Sequence, residues 1–155
     1  MRLKAEYYFS RKEYDKIVFS DGKNIYKFTA NTQNMEGTGN LHQALLAYLE
    51  TVFINCGTYT VDAMTKPVAL ADMQAGDVFV KAGSPGHAMI VVDVAQNLAG
   101  EKIYLLAQGY MPAQDMHIVI NPVDATLSPW YKVTNDEQVI TPGWVFEKTR
   151  LKRWK

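Results

Sequence analysis

The chain carries three histidines and a single cysteine, so few side chains could perform nucleophilic or acid–base chemistry. His87 sits in Gly83-Ser84-Pro85-Gly86-His87, a turn that delivers an imidazole to the first position of the apolar run Ala88–Val92. The glycines permit a tight backbone path and Pro85 stiffens it. Two readings stand for such a histidine: a rigid general base with one ring edge toward a cleft, or an imidazole bonded to loop carbonyls. Gln108 closes the run Lys102–Gln108, and a general-base histidine needs a polar partner to orient its ring. A glutamine at a strand end is more commonly just a satisfied polar group.

Cys56 follows Phe53-Ile54-Asn55 at a helix C-terminus, where the helix dipole is negative and raises a thiol's pKa. It reads as a small buried packing residue; a role as nucleophile of an unrelated hydrolase is the weaker alternative. His42, at the start of a helix, reads as solvated, and His117 as lying on an edge strand. No histidine has a partner at His-x-x-x-His spacing, so no metal site is predicted. No glycine-rich loop precedes a helix, so no nucleotide cofactor is predicted either. Asp77 follows Gly76 in a turn-capping position. Trp130 with Tyr131, and Trp144 with Phe146, are aromatic pairs that either line a groove or, more commonly, fill a core.

The elements that must hold these groups can be read from periodicity. Leu3–Tyr14 reads as a helix with Leu3, Tyr7, Ser10 and Tyr14 on one stripe. Ile17–Phe19 reads as a strand closed by the turn pair Asp21-Gly22. Residues 29–40 form a loop. Leu41–Ile54 is a second helix, capped by Asn40, with Leu41, Leu45, Tyr48, Leu49, Val52 and Phe53 on its apolar face and Gly57 as its stop. A short helix follows over Thr60–Thr65. Strands are predicted at Asp77–Lys81, His87–Val94, Lys102–Gln108 and His117–Ile120. Helices first and a mostly antiparallel sheet afterwards make an α+β fold.

The central hairpin can be registered by placing its turn between Asn97 and Leu98. His87 then faces Gln108, Met89 faces Leu106, Val91 faces Tyr104, and Asp93 faces Lys102 across the strands. A bulge at Gly100 would shift this pairing. The opposite face, Ala88, Ile90, Val92, Val94, Ile103, Leu105 and Ala107, is wholly apolar and is predicted to be core.

With 155 residues and 17.5 kDa, the chain has room for one ordinary domain, predicted over 1–155. Hydrophobic residues at 48% and charged residues at 21% exclude an intrinsically disordered chain. Sixteen basic and sixteen acidic residues cancel, which argues against a nucleic-acid partner. The basic tail Thr149–Lys155 reads as a solvated terminus. No apolar stretch approaches the ~18 residues of a membrane span, and no export signal is seen, so the chain as written reads as cytoplasmic. The lone cysteine excludes an internal disulfide. Oligomeric state is not legible.

Gly76-Asp77-Val78-Phe79-Val80, followed by Pro85-Gly86-His87 through Asp93, resembles the NlpC-like and CHAP-like cysteine peptidases and amidases. In that superfamily a Gly-Asp strand precedes a Gly-His strand and the histidine is the catalytic base. The resemblance implies that Gln108 is its orienter and that the fold is of papain-like type.

A longer resemblance is to the bacterial domain-of-unknown-function family numbered 4846. It runs through Arg2–Tyr7, Val52-Phe53 with Gly57-Thr58, Gly83–His87, Ala107-Gln108, Tyr110-Met111-Pro112-Ala113-Gln114 and Ser128-Pro129-Trp130-Tyr131. Of these the Tyr110–Gln114 tract is the most specific. Taken together, the resemblances and the aromatic pairs point to Ser84, Tyr110, Gln114 and Trp130 as substrate-binding residues. In this family a cysteine-bearing segment comes immediately before the stretch matching Arg2–Tyr7. Beginning at Met1, the chain is expected to lack that nucleophile and to be inactive as given. Asp21–Asn40 is also shorter than is typical, and members generally carry an export or lipoprotein signal, which implies the cell envelope.

The expected function is a cysteine peptidase or amidase-type domain acting on or binding peptide amides, with cell-wall peptides as the implied partner. A non-catalytic binding module using the same cleft is the alternative.

Overall fold

In a computed structural model that describes residues 1–29, 40–110 and 114–155, the chain divides into two units, Met1–Met64 and Thr65–Lys155. The predicted loop at 29–40 falls almost wholly outside the described residues, as do Met111–Ala113 of the Tyr110–Gln114 tract.

The first unit is built from helix α1 (Arg2–Ser10), a hairpin of β1 (Val18–Ser20) and β2 (Ile25–Lys27), α2 (Leu41–Asn55) and α3 (Thr58–Ala63). Helix α1 is shorter than the periodicity predicts, because Lys12 adopts φ +59° and ends it. The stripe is also rotated: Leu3 and Tyr7 are exposed while Ala5 is buried. Phe9 packs at 5.4–6.1 Å against Tyr14, His42 and Phe28. Asp21-Gly22 closes the β1–β2 turn, with Gly22 at φ +92°. Its Asp21 carboxylate accepts from Lys23, Asn24 and Tyr26 and is held well below the usual carboxylate range by these bonds.

Asn40 caps α2 as expected, its side chain accepting the His42 amide at 3.0 Å. Leu45, Leu49 and Val52 are buried, but Phe53 is exposed. Gly57 does not stop α2 with a left-handed turn. Cys56, extended, is the C-cap, and Gly57 instead opens α3.

The second unit is an antiparallel sheet of seven strands among the described residues: β3 (Thr65–Pro67), β4 (Val78–Lys81), β5 (His87–Gln96), β6 (Lys102–Gln108), β7 (His117–Ile118), β8 (Tyr131–Lys132) and β11 (Leu151–Trp154). Their order is β3-β11-β4-β5-β6-β7, with β8 also paired to β6. A separate hairpin joins β9 (Gln138–Ile140) to β10 (Val145–Glu147). The described residues thus make a mixed α and β chain with three α-helices and a mostly antiparallel sheet.

Two expectations about the sheet are corrected. The basic tail is not a solvated terminus: it forms β11, inserted between β3 and β4. The hairpin register also differs. Gln96 pairs with Lys102 across a turn closed by Gly100 at φ +85°. A bulge between Val91 and Asp93 then leaves Val92 unpaired, and Val91 faces Leu106. Asp93 is therefore opposite Leu105, not Lys102.

The more deeply buried face is, at most positions, the reverse of the one predicted. Met89, Val91, Tyr104 and Leu106 join Phe79, Leu151, Val139 and Phe146 in one core cluster. Of the face predicted to be core, Ala107 is buried and Val94 packs against this cluster, whereas Ala88, Ile90, Val92, Ile103 and Leu105 are only half-buried.

Candidate active site

The chemistry-bearing residues lie at the His87 end of β5. Lys81, the last residue of β4, pairs with His87, the first of β5, so residues 82–86 form the connecting loop. At Gly83 an added Cβ would stand 2.7 Å from the Pro85 carbonyl oxygen; only glycine allows that approach. From His87 the strand alternates, sending His87, Met89 and Val91 to the core side. Gln108, the last residue of β6, points to the same side and is buried.

His87 Nε2 and Gln108 Oε1 are 2.7 Å apart. An amide oxygen only accepts, so Nε2 carries the proton and Nδ1 keeps a lone pair. Burial lowers the His87 pKa below its ordinary 6.5, and the Gln108 hydrogen bond opposes that shift. The result is an oriented imidazole, neutral at physiological pH, with a basic nitrogen to offer.

Three aromatic rings enclose this imidazole. Trp144 stacks on it at 5.3 Å and 26°, Tyr110 lies at 5.3 Å and 59°, and Phe146 at 6.1 Å and 28°. Trp144 precedes β10 in a turn where the Thr141 amide and hydroxyl both donate to the Trp144 carbonyl, at 2.9 and 2.6 Å. The Trp144 Nε1–H is buried and has no hydrogen-bond partner among the described residues.

Of the sequence-predicted site residues, His87, Gln108 and Tyr110 come together. Ser84 is exposed in the loop leading into His87, and Gln114 is exposed beyond Gly109. Trp130 is not brought to the imidazole. Its carbonyl accepts from Asn121 Nδ2 at 2.8 Å, and Tyr131 after it pairs with Tyr104, far along β6 from Gln108. The tryptophan that meets His87 is Trp144. The available signal was Thr141-Pro142-Gly143-Trp144, a turn tetrapeptide between two β-forming stretches.

A match to the family model described as Domain of unknown function (4846) extends over residues 1–153. The chain belongs to this family. No curated protein and no solved structure matches the chain.

Several other ionisable groups of this family 4846 member make structural contacts. His42 is not simply solvated: its Nε2 meets both Glu6 carboxylate oxygens at 3.0 and 3.1 Å, tying α2 to α1. His117 donates from Nδ1 to the Asp115 carbonyl at 3.0 Å. Cys56 is buried, and that burial raises its thiol pKa. Among the described residues no group of three or more His, Cys, Asp or Glu could hold a metal ion, and no helix is long and apolar enough to cross a membrane. Two open clefts of about 510 and 340 Å³ flank the Asp124–Lys132 segment. Neither is lined by His87 or Gln108, and several of their polar groups are already paired, as Lys132 is with Glu101 at 2.6 Å.

Proposed function

We propose that His87 and Gln108 are the base and orienter of a papain-like cysteine peptidase or amidase site that acts on or binds peptide amides, cell-wall peptides being the favoured class. The observation that carries the reading is the 2.7 Å Nε2–Oε1 bond, which leaves Nδ1 free to take a proton. In such a site a thiol gives its proton to Nδ1, and the thiolate adds to the amide carbonyl. The imidazolium then protonates the leaving nitrogen, and water releases the acyl group.

Cys56 does not suit the nucleophile's role, being buried with a raised thiol pKa. The described residues supply the base, its orienter and an aromatic wall, and the family resemblance implies a thiol from a cysteine-bearing segment next to the Arg2–Tyr7 stretch.

The test is a titration of the chain with soluble muropeptides, followed by NMR. Saturable shifts at the His87, Tyr110 and Trp144 side chains are expected. No shift at millimolar peptide would overturn the reading.

A further inference from the structure

One indole covers neighbours on two strands. Trp144 stacks on His87 at 26°, and the Nζ of Lys81, the residue paired with His87, stands 5.9 Å from the indole centroid. The turn that carries the indole also touches Tyr110, another of the imidazole's aromatic neighbours. An added Cβ at Gly143 would stand 3.3 Å from Tyr110 Cε2 and 3.5 Å from its hydroxyl. Turn and tyrosine approach this closely because position 143 has no side chain.

A single hydrogen bond orients an imidazole incompletely, because the ring can still pivot about the bond axis. A stacked plane removes that freedom. It also excludes water, which otherwise competes for both the Nε2–H and the Gln108 oxygen. We infer that Trp144 is a positioning residue for His87, fixing the ring plane and shielding the Nε2–Gln108 bond, and that Gly143 lets its turn seat against Tyr110. This rests on the reading of His87 as the base of the site. If Trp144 only filled the core beside β10, its loss would lower stability and leave the proton on His87 undisturbed.

Among the described residues, the ionisable groups facing the imidazole from neighbouring elements are Lys81 from β4, Tyr110 after β6, and His117, which faces Gln108 from β7. Lys81 carries the formal charge among them, so the comparison is made at one ionic strength.

The experiment is ¹⁵N NMR of the His87 ring in the chain as it stands. The parent is expected to show a single Nε2–H tautomer with a slowly exchanging proton. In Trp144→Ala that proton exchanges at least about ten-fold faster, the factor that matches one hydrogen bond's net worth, and the two tautomers mix. Trp144→Phe restores the parent behaviour, and Gly143→Ala falls between. Unchanged exchange and tautomer in Trp144→Ala would overturn the inference. Should that variant not fold, Trp144→Leu, which fills volume without a planar face, decides by the same criterion. Muropeptides that leave the parent unshifted would remove the proposed function and not this inference. Unchanged exchange in the alanine variant would do the reverse.

Discussion

Arg153 clamps Asp77 from the C-terminal strand of the second unit: guanidinium Nε reaches Oδ1 at 2.7 Å and Nη2 reaches Oδ2 at 2.9 Å. The Asp77 side chain is only 1% exposed, and its Oδ2 also accepts the Gln74 amide. The pair fixes β11 beside the start of β4, and β4 leads into the loop that delivers His87. Arg153→Met leaves a buried carboxylate without its cation and is expected to cost about 3 kcal/mol. Asp77→Asn, which keeps the shape and removes the charge, costs less. Urea unfolding of both variants checks the order, and equal losses would contradict it.

The His87 shift has a sign that can be read in stability. Burial favours the neutral ring, so just below pH 6.5 the unfolded chain binds more protons than the folded one. Stability from this group is therefore complete above pH 6.5 and falls as the pH drops from there through the lower folded-state value. Thermal unfolding of the parent and His87→Gln between pH 5 and 7 should show the steeper acid loss in the parent.

Gln108 acts against burial, since its hydrogen bond raises the His87 pKa. Gln108→Leu should move the NMR titration midpoint of His87 further down, and Gln108→Glu should move it up. An unshifted midpoint in both would mean the 2.7 Å contact does not persist in solution.

Cys56 should react as a buried thiol. Alkylation by iodoacetamide at pH 7.5 is expected to be at least ~10-fold slower than for an exposed thiol and to become fast only in urea. In a family member carrying the upstream cysteine segment, a second thiol should instead react rapidly at neutral pH and lose that reactivity when the residue equivalent to His87 is replaced.

At the helix level, Asn40→Ala removes the acceptor for the His42 amide and should cost about 1 kcal/mol, while Asn40→Gly costs only a few tenths. Circular dichroism during thermal unfolding separates the two.

Much of the site was legible, and for a definite reason. The hairpin register expected from the turn is two residues out near His87, and a two-residue slip keeps every side chain on its face. His87 and Gln108 thus remain neighbours although their direct opposition does not occur. The choice of core face failed because both faces of β5 and β6 are apolar at most positions. What decides between them is the β9–β10 hairpin, whose Val139 and Phe146 cover one side. Strands of three residues separated by a turn carry little periodicity, so neither that cover nor the role of Trp144 could be read locally. The tail misled for a similar reason: Lys152 and Arg153 look like a charge run, and only the distant Asp77 makes Arg153 structural.

The unpaired Val92 divides the β5–β6 ribbon into two halves that keep separate step. A length change at Asn97–Gly100 alters pairing in the outer half, and the bulge is where such a mismatch can be taken up before it reaches Ile90 and Ala107. The hairpin tip, with Leu98 fully exposed, is accordingly the place to graft a fluorophore or an affinity peptide while leaving the imidazole's surroundings undisturbed.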